Sequence, residues 1–164
     1  MSSPAVVSDR EFTMPRQGLR VLVSSVSSDS HTWNLVYLQL LLEEMGHEVH
    51  NTGACVPDDL LLGECRRLRP DLVVISSVNG HGFLDGRRLI GRLRREADLA
   101  ALPVVIGGKL GTEGAGAGRY GPELLAAGFT AVFEGDDAIE DFRAYLDPHG
   151  ALLLPAAPAL AGVA

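Results

Sequence analysis

Between residues 19 and 146, five short runs of aliphatic, β-branched residues are each followed by a stretch with helical spacing. The first run, Leu19 to Val26, is apolar nearly throughout, as a strand covered on both faces must be. Leu35, Leu38, Leu41, Leu42 and Met45 then recur at helical intervals, which predicts a helix from Thr32 to Met45 closed by Gly46. Residues 47–53 read as a short second strand, and residues 57–69 as a helix opened by Pro57 and two aspartates. Asp71 to Val78 is the third strand and Asp85 to Leu99 the third helix. Leu102 to Gly108 follows as the fourth strand, then a helix over 122–128, a fifth strand over 130–135 and a last helix over 137–146. Strict β-α alternation demands crossover connections, and so a parallel sheet with helices on both faces. The expected fold is α/β and flavodoxin-like (Rossmann-like), with five parallel strands in the order 2-1-3-4-5.

Such a chain of 164 residues fits one domain. The reading divides it into a flexible leader over 1–18, a folded domain over 19–146 and a flexible Ala/Pro/Leu-rich tail over 147–164. A formal net charge of -7 argues against non-specific nucleic-acid binding, which needs basic surface to neutralise phosphates. Residues 1–18 contain no apolar core behind basic residues, and the apolar tail is too short and proline-broken to span a bilayer, so no membrane role is expected. Cys55 and Cys65 are too few for a disulfide framework and show no zinc spacing. A reducing, cytoplasmic location is expected.

In open parallel sheets of this kind, ligands sit beyond the carboxyl ends of the strands, near the switch point between strands one and three. That rule directs attention to residues 27–34, 79–85, 107–118 and 134–137. The first loop carries Asp29-Ser30-His31-Thr32-Trp33-Asn34. An aspartate two residues before a histidine can accept a hydrogen bond from one ring nitrogen, leaving the other free for a metal. The same two residues also suit plainer roles, with His31 capping a helix and Asp29 in solvent. Strand three ends in Ser76-Ser77-Val78, whose hydroxyls can meet a polar ligand group or satisfy loop backbone. Strand four ends in Gly107-Gly108-Lys109, where missing side chains let a bulky ligand, or simply a turn, approach the backbone.

Taken together, these three loops resemble the cobalamin-binding small subunit of glutamate mutase (methylaspartate mutase) and, more widely, base-off/His-on cobalamin-binding domains. The family pattern is Asp-x-His-x-x-Gly, Ser-x-Leu and Gly-Gly, and the resemblance covers roughly Leu19 to Leu146. It implies that His31 replaces the cofactor's dimethylbenzimidazole as lower axial ligand to cobalt, through Nε2, with Asp29 bonded to the other ring nitrogen. The displaced nucleotide tail would enter a slot between the sheet and the first helix, bonded by Ser76 and lined by Gly107 and Gly108. Ser30, Thr32, Asn34, Ser77, Val78, Gly80, Lys109 and Gly135 complete the expected cofactor contacts. Asn34 stands where the family has glycine, and its tolerance of left-handed backbone is expected to preserve the turn. Val78 replaces leucine, and Glu134-Gly135-Asp136 replaces Pro-Gly-Thr. Trp33, beside the histidine, is expected in the core.

The resemblance further implies an adenosylcobalamin-dependent isomerase component. Radical rearrangement of L-glutamate to threo-3-methylaspartate would take place with a separate, barrel-type large subunit that holds the substrate. A non-catalytic cobalamin carrier or sensor is the alternative. Methyl-carrying corrinoid proteins fit less well, since their helical cap has no counterpart in the residues before strand one. Gly116-Ala117-Gly118-Arg119-Tyr120-Gly121 is a literal GxGxxG, yet it stands well past the end of strand four, where a dinucleotide fingerprint would not. Lys109 lacks the upstream glycine of a P-loop, and strand three ends in serine rather than the aspartate of a receiver domain. His47 and His50 are a poor metal pair, being three apart in a strand. His81 is a loop residue expected near the corrin face.

Overall fold

The computed structural model describes residues 18–112 and 119–147. The expected leader and tail lie outside the described residues except for Gly18 and Asp147, as do Gly116 and Gly118 of the GxGxxG match. Ten elements alternate without exception: β1 Arg20–Ser25, α1 Trp33–Glu44, β2 Glu48–Asn51, α2 Asp58–Leu68, β3 Leu72–Ser77, α3 Gly82–Arg95, β4 Val104–Gly108, α4 Gly121–Ala127, β5 Ala131–Phe133 and α5 Ala138–Leu146. All neighbouring strands pair parallel, in the order β2-β1-β3-β4-β5. The chain has the flavodoxin-like α/β fold that its alternation of patterns predicts.

Two apolar layers flank the sheet because alternate strand side chains point to opposite faces. On one face Val21, Val23, Leu72, Val74 and Val105 pack against Leu35, Leu38, Leu41 and Leu42 of α1 and Phe142 and Leu146 of α5. On the other, Leu22, Val73, Ile75 and Ile106 meet Leu61 and Leu62 of α2, Leu89, Ile90 and Leu93 of α3, and Leu124 of α4. β3 is buried at all six positions, as the central strand of a two-sided sheet must be.

Local differences from the sequence expectation have physical causes. α3 begins at Gly82 rather than Asp85. A Cβ at position 82 would stand 2.8 Å from Leu110 Cδ2 and 2.9 Å from Ser77 Cβ, so this glycine starts a helix by allowing close packing against β3. β5 is only three residues long, and Glu134 has left the strand to accept a hydrogen bond from the backbone N–H of Gly121 at 2.9 Å.

Strand register brings Ser76 opposite Gly107 and Ser77 opposite Gly108. Gly108 has φ +113, and a Cβ there would lie 2.2 Å from the Ser77 carbonyl oxygen. Both the left-handed backbone and the close approach require glycine. The Gly108→Ala substitution is expected to lower unfolding free energy by about 2–4 kcal/mol, combining backbone strain with the clash. Urea unfolding monitored by circular dichroism checks this, and an unchanged midpoint contradicts it.

Candidate functional site

Asp29 is fully buried although it is a carboxylate in a loop. Burial on its own would raise its pKa, but five hydrogen bonds outweigh that cost. Oδ1 accepts from the His31 backbone N–H at 3.0 Å and lies 2.7 Å from His31 Nδ1. Oδ2 accepts from Val78 N at 2.7 Å, Asn79 N at 3.3 Å and the Ser77 hydroxyl at 3.1 Å. The result is a carboxyl held below its ordinary range: burial pushes it up, and the His31 and Val78 amides with the His31 and Ser77 side chains pull it further down. The solvated alternative for Asp29 is thereby excluded. One carboxylate ties the loop after β1 to the loop after β3.

This contact orients the imidazole. With Nδ1 engaged by Asp29, Nε2 has no partner among the described residues, and the His31 side chain is 48% exposed. Below it, the Ser77 hydroxyl that donates to Asp29 also lies 3.1 Å from Asn79 Oδ1, and Asn79 Nδ2 donates to the Ser28 carbonyl and hydroxyl. Ser28 reaches Asp85, which pairs with Arg88, and Arg88 also holds Asp58 and Ser27. The hydrogen-bonded support of the histidine therefore extends across the foot of α3 to the start of α2.

Beside the histidine loop, a cavity of about 400 Å³ opens between α1, α5 and the carboxyl ends of β3, β4 and β5. Its wall is apolar: Tyr37 and Leu38 of α1, Val74 of β3, Val105 of β4, and Phe133, Ile139 and Phe142 beyond. Asn34, Ser76, Val78, Gly107, Gly108 and Gly135 also line it. Two buried polar groups interrupt the wall. Asn34 Nδ2 donates to Ser76 Oγ at 2.8 Å, while Asn34 Oδ1 is buried with no hydrogen-bond partner among the described residues. An apolar slot with few convergent polar groups is the ordinary form of a small-molecule site.

Matching residues over 19–143 is the B12 binding domain family. The chain belongs to that family. As a B12-binding, and so cobalamin-binding, domain it resembles the glutamate mutase sigma subunit of Fusobacterium nucleatum, with 25% identity over 122 residues, 74% of this chain and 89% of that one. The HTH-type transcriptional repressor CarA of Myxococcus xanthus is 33% identical over 91 residues, 56% of this chain and 31% of the repressor. Among solved structures, a cobalamin-binding protein from Desulfitobacterium hafniense superposes with a TM-score of 0.60 at 19% identity. That match covers 79% of this chain and 60% of the other, and it bears on the fold.

Within the B12-binding domain, the structure gathers only part of the expected set around the cavity. Ser30, Thr32 and Lys109 are exposed and do not line it, and Gly80 packs toward Thr112 instead. Asn34 corrects an expectation: it is the second residue of α1, and the described non-glycine residues with positive φ are Cys55 and Arg69. The turn does not need left-handed backbone there, because the helix has already begun. Trp33 corrects another, being 65% exposed at the cavity rim rather than in the core. It is the first residue of α1, and the buried face of that turn is taken by Asn34 and Leu35. His81 is exposed and precedes α3, its backbone N–H donating to Asn79 Oδ1 at 2.9 Å. Near the ends of β2, His47 Nδ1 accepts from Leu19 N at 3.1 Å and His50 Nε2 lies 3.3 Å from Glu64 Oε2, so the two serve separate contacts.

Sequence reasoning missed Asn79 and the far wall of Phe133, Ile139 and Phe142. An asparagine directly after a strand end was the available sign for the first. For the second, it was the three-residue spacing of Ile139 and Phe142 in the last helix.

Asp29 carries a pH signature. Its folded pKa is lowered, so its contribution to stability is complete above the unfolded carboxyl pKa of about 4 and is lost as pH falls through the folded value. The Asp29→Asn variant is expected to be less stable by about 1–3 kcal/mol near neutrality, since its amide cannot accept on both sides. The gap should close as pH drops below about 4. Urea midpoints measured across that range check this, and a gap independent of pH contradicts it.

Proposed function

We propose that the chain is the cobalamin-binding small subunit of an adenosylcobalamin-dependent carbon-skeleton mutase, most closely a glutamate mutase, with His31 as the residue that would hold cobalt. The observation that carries this reading is the Asp29–His31 pair, which leaves Nε2 unpartnered beside an apolar slot. Among the described residues no group of three or more His, Cys, Asp or Glu side chains is placed to hold a metal ion. A metal on His31 would thus bring its other ligands with it, as a corrin does. When bound, adenosylcobalamin would supply the radical chemistry of such a rearrangement.

The residues present fit such a group. Gly107 and Gly108 keep side chains out of the slot, the walls of α1 and α5 offer apolar area to a nucleotide base, and Ser76 has a hydroxyl proton that no described bond uses. His31 would hold the metal through Nε2. Asp29 would keep the Nδ1 proton in place and raise the basicity of the coordinating nitrogen. Ser77 and the Val78 amide would keep Asp29 ionised and fixed. The substrate site is assigned to a separate, barrel-type large subunit, consistent with the sigma-subunit name of relatives that this chain matches over most of their length. No helix among the described residues is long and apolar enough to cross a membrane. We place the chain in the cytoplasm, without a nucleic-acid partner.

A second reading, a non-catalytic cobalamin carrier or sensor, is favoured by the likeness to a transcriptional repressor. The two share the cofactor site and differ in partner. Mixing the chain with glutamate mutase large subunits and adenosylcobalamin is expected to convert glutamate to methylaspartate. Cobalamin binding without turnover favours the carrier reading.

Ligation itself is checked by the visible spectrum of added cobalamin. The native chain is expected to convert it to the histidine-ligated, base-off form, and His31→Ala to abolish that change. The Asp29→Asn variant should weaken binding about 10- to 100-fold, the usual loss when the partner of a metal-bound histidine is removed. Identical spectra for native chain and His31→Ala overturn the assignment.

A further inference from the structure

Asn34 is 5% exposed, and its side chain stands in the cavity wall with its carbonyl oxygen unused. Its amide nitrogen donates to Ser76 Oγ at 2.8 Å. Its Oδ1 has no partner among the described residues. The Ser76 oxygen is occupied as an acceptor, so its own proton is left to donate. Asn34 and Ser76 together therefore set one acceptor and one donor side by side in a wall otherwise built from Val74, Val105, Phe133 and Ile139.

Resting on the cobalamin reading above, we infer that Asn34 selects the nucleotide base of the corrinoid, favouring a base that carries an N–H or O–H donor over dimethylbenzimidazole. Dimethylbenzimidazole, joined to its ribose through one ring nitrogen, offers a single acceptor nitrogen and two methyl groups. It satisfies the Ser76 proton and leaves Asn34 Oδ1 buried against hydrocarbon. A buried acceptor without a partner carries its full desolvation cost, and a site built to hydrogen-bond a polar group discriminates against the analogue that lacks it. Adenine and hydroxybenzimidazole each bring a donor as well as an acceptor nitrogen. A glycine at position 34 would remove the acceptor and enlarge the slot, which suits the methylated base.

The probes are cobalamin, its adenine-bearing and 5-hydroxybenzimidazole-bearing counterparts, and cobinamide, which lacks the nucleotide. Trp33 is the only tryptophan and lies at the cavity rim, so quenching of its fluorescence reads affinity on the full chain. The native chain is expected to bind at least one donor-bearing corrinoid about tenfold more tightly than cobalamin, the effect of one satisfied buried acceptor. Asn34→Gly and Asn34→Ala should each bring that ratio to within about twofold of unity, while cobinamide binding stays unchanged. Comparing the two donor-bearing forms tells whether the acceptor meets an amine or a hydroxyl. Equal affinities for all bases in the native chain, a preference for cobalamin, or a preference that survives in both variants overturns this inference and leaves the cobalamin reading standing. Failure of every corrinoid to bind overturns both.

Discussion

A buried carboxylate that accepts hydrogen bonds from two loops at once is an expensive thing to fold around. Asp29 is stable in that position because the β1 loop supplies the His31 backbone N–H and imidazole, while the end of β3 supplies the Val78 and Asn79 amides and the Ser77 hydroxyl. Three of the donors are backbone amides, Ser77 is rooted in a strand end, and His31 belongs to the same short loop as Asp29. The interaction therefore depends on β1 and β3 being neighbours, which is the switch point of the 2-1-3-4-5 order. Losing a donor would leave the buried charge with less compensation for its desolvation. The same bonds that keep Asp29 ionised fix the side of the imidazole that faces solvent. Loop stability and ligand geometry are thus one problem with one solution.

From that anchor the remaining architecture follows. The chain runs directly from His31 into α1, so the ligand loop and the wall of the slot are held by one short connection. α1 is in turn pinned to the sheet by Leu35, Leu38, Leu41 and Leu42. Gly107 and Gly108 clear the floor opposite Ser76 and Ser77, and α5 closes the far side with Ile139 and Phe142. The Asp29–His31 pair and the slot sit at adjacent places on the carboxyl edge, with Val78 touching both. Affinity can arise from the apolar slot while one nitrogen addresses the metal.

Much of this was legible in the residues. Continuous apolar runs and helical spacing are strong physical signals, and crossover rules narrow the sheet orders they allow to a few, of which 2-1-3-4-5 is the most economical. Asp29 and His31 were visible as a pair, and the serines and glycines of Ser76-Ser77 and Gly107-Gly108 marked the strand ends. What was hidden depends on three-dimensional coincidence. Asn34 looks like a turn residue, and only tertiary contact with Ser76 reveals it as a helical residue with one amide atom unsatisfied. Trp33 carries the apolar character of a core residue, but its place at the first turn of α1 leaves it at the rim. Gly80 and Lys109 share loops with cavity residues and still face elsewhere, because a loop residue's direction has no period to reveal it.

The most direct measurement is electron paramagnetic resonance of the chain loaded with cobalt(II) cobalamin, prepared with ordinary and with nitrogen-15 histidine. A protein imidazole on the metal couples the unpaired electron to its nitrogen nucleus, so the triplet splitting of the ordinary sample should become a doublet in the labelled one. The change should be absent in His31→Ala. A splitting that stays a triplet after labelling would mean that the cofactor keeps its own base on cobalt, and the role given to the Asp29–His31 pair would be wrong.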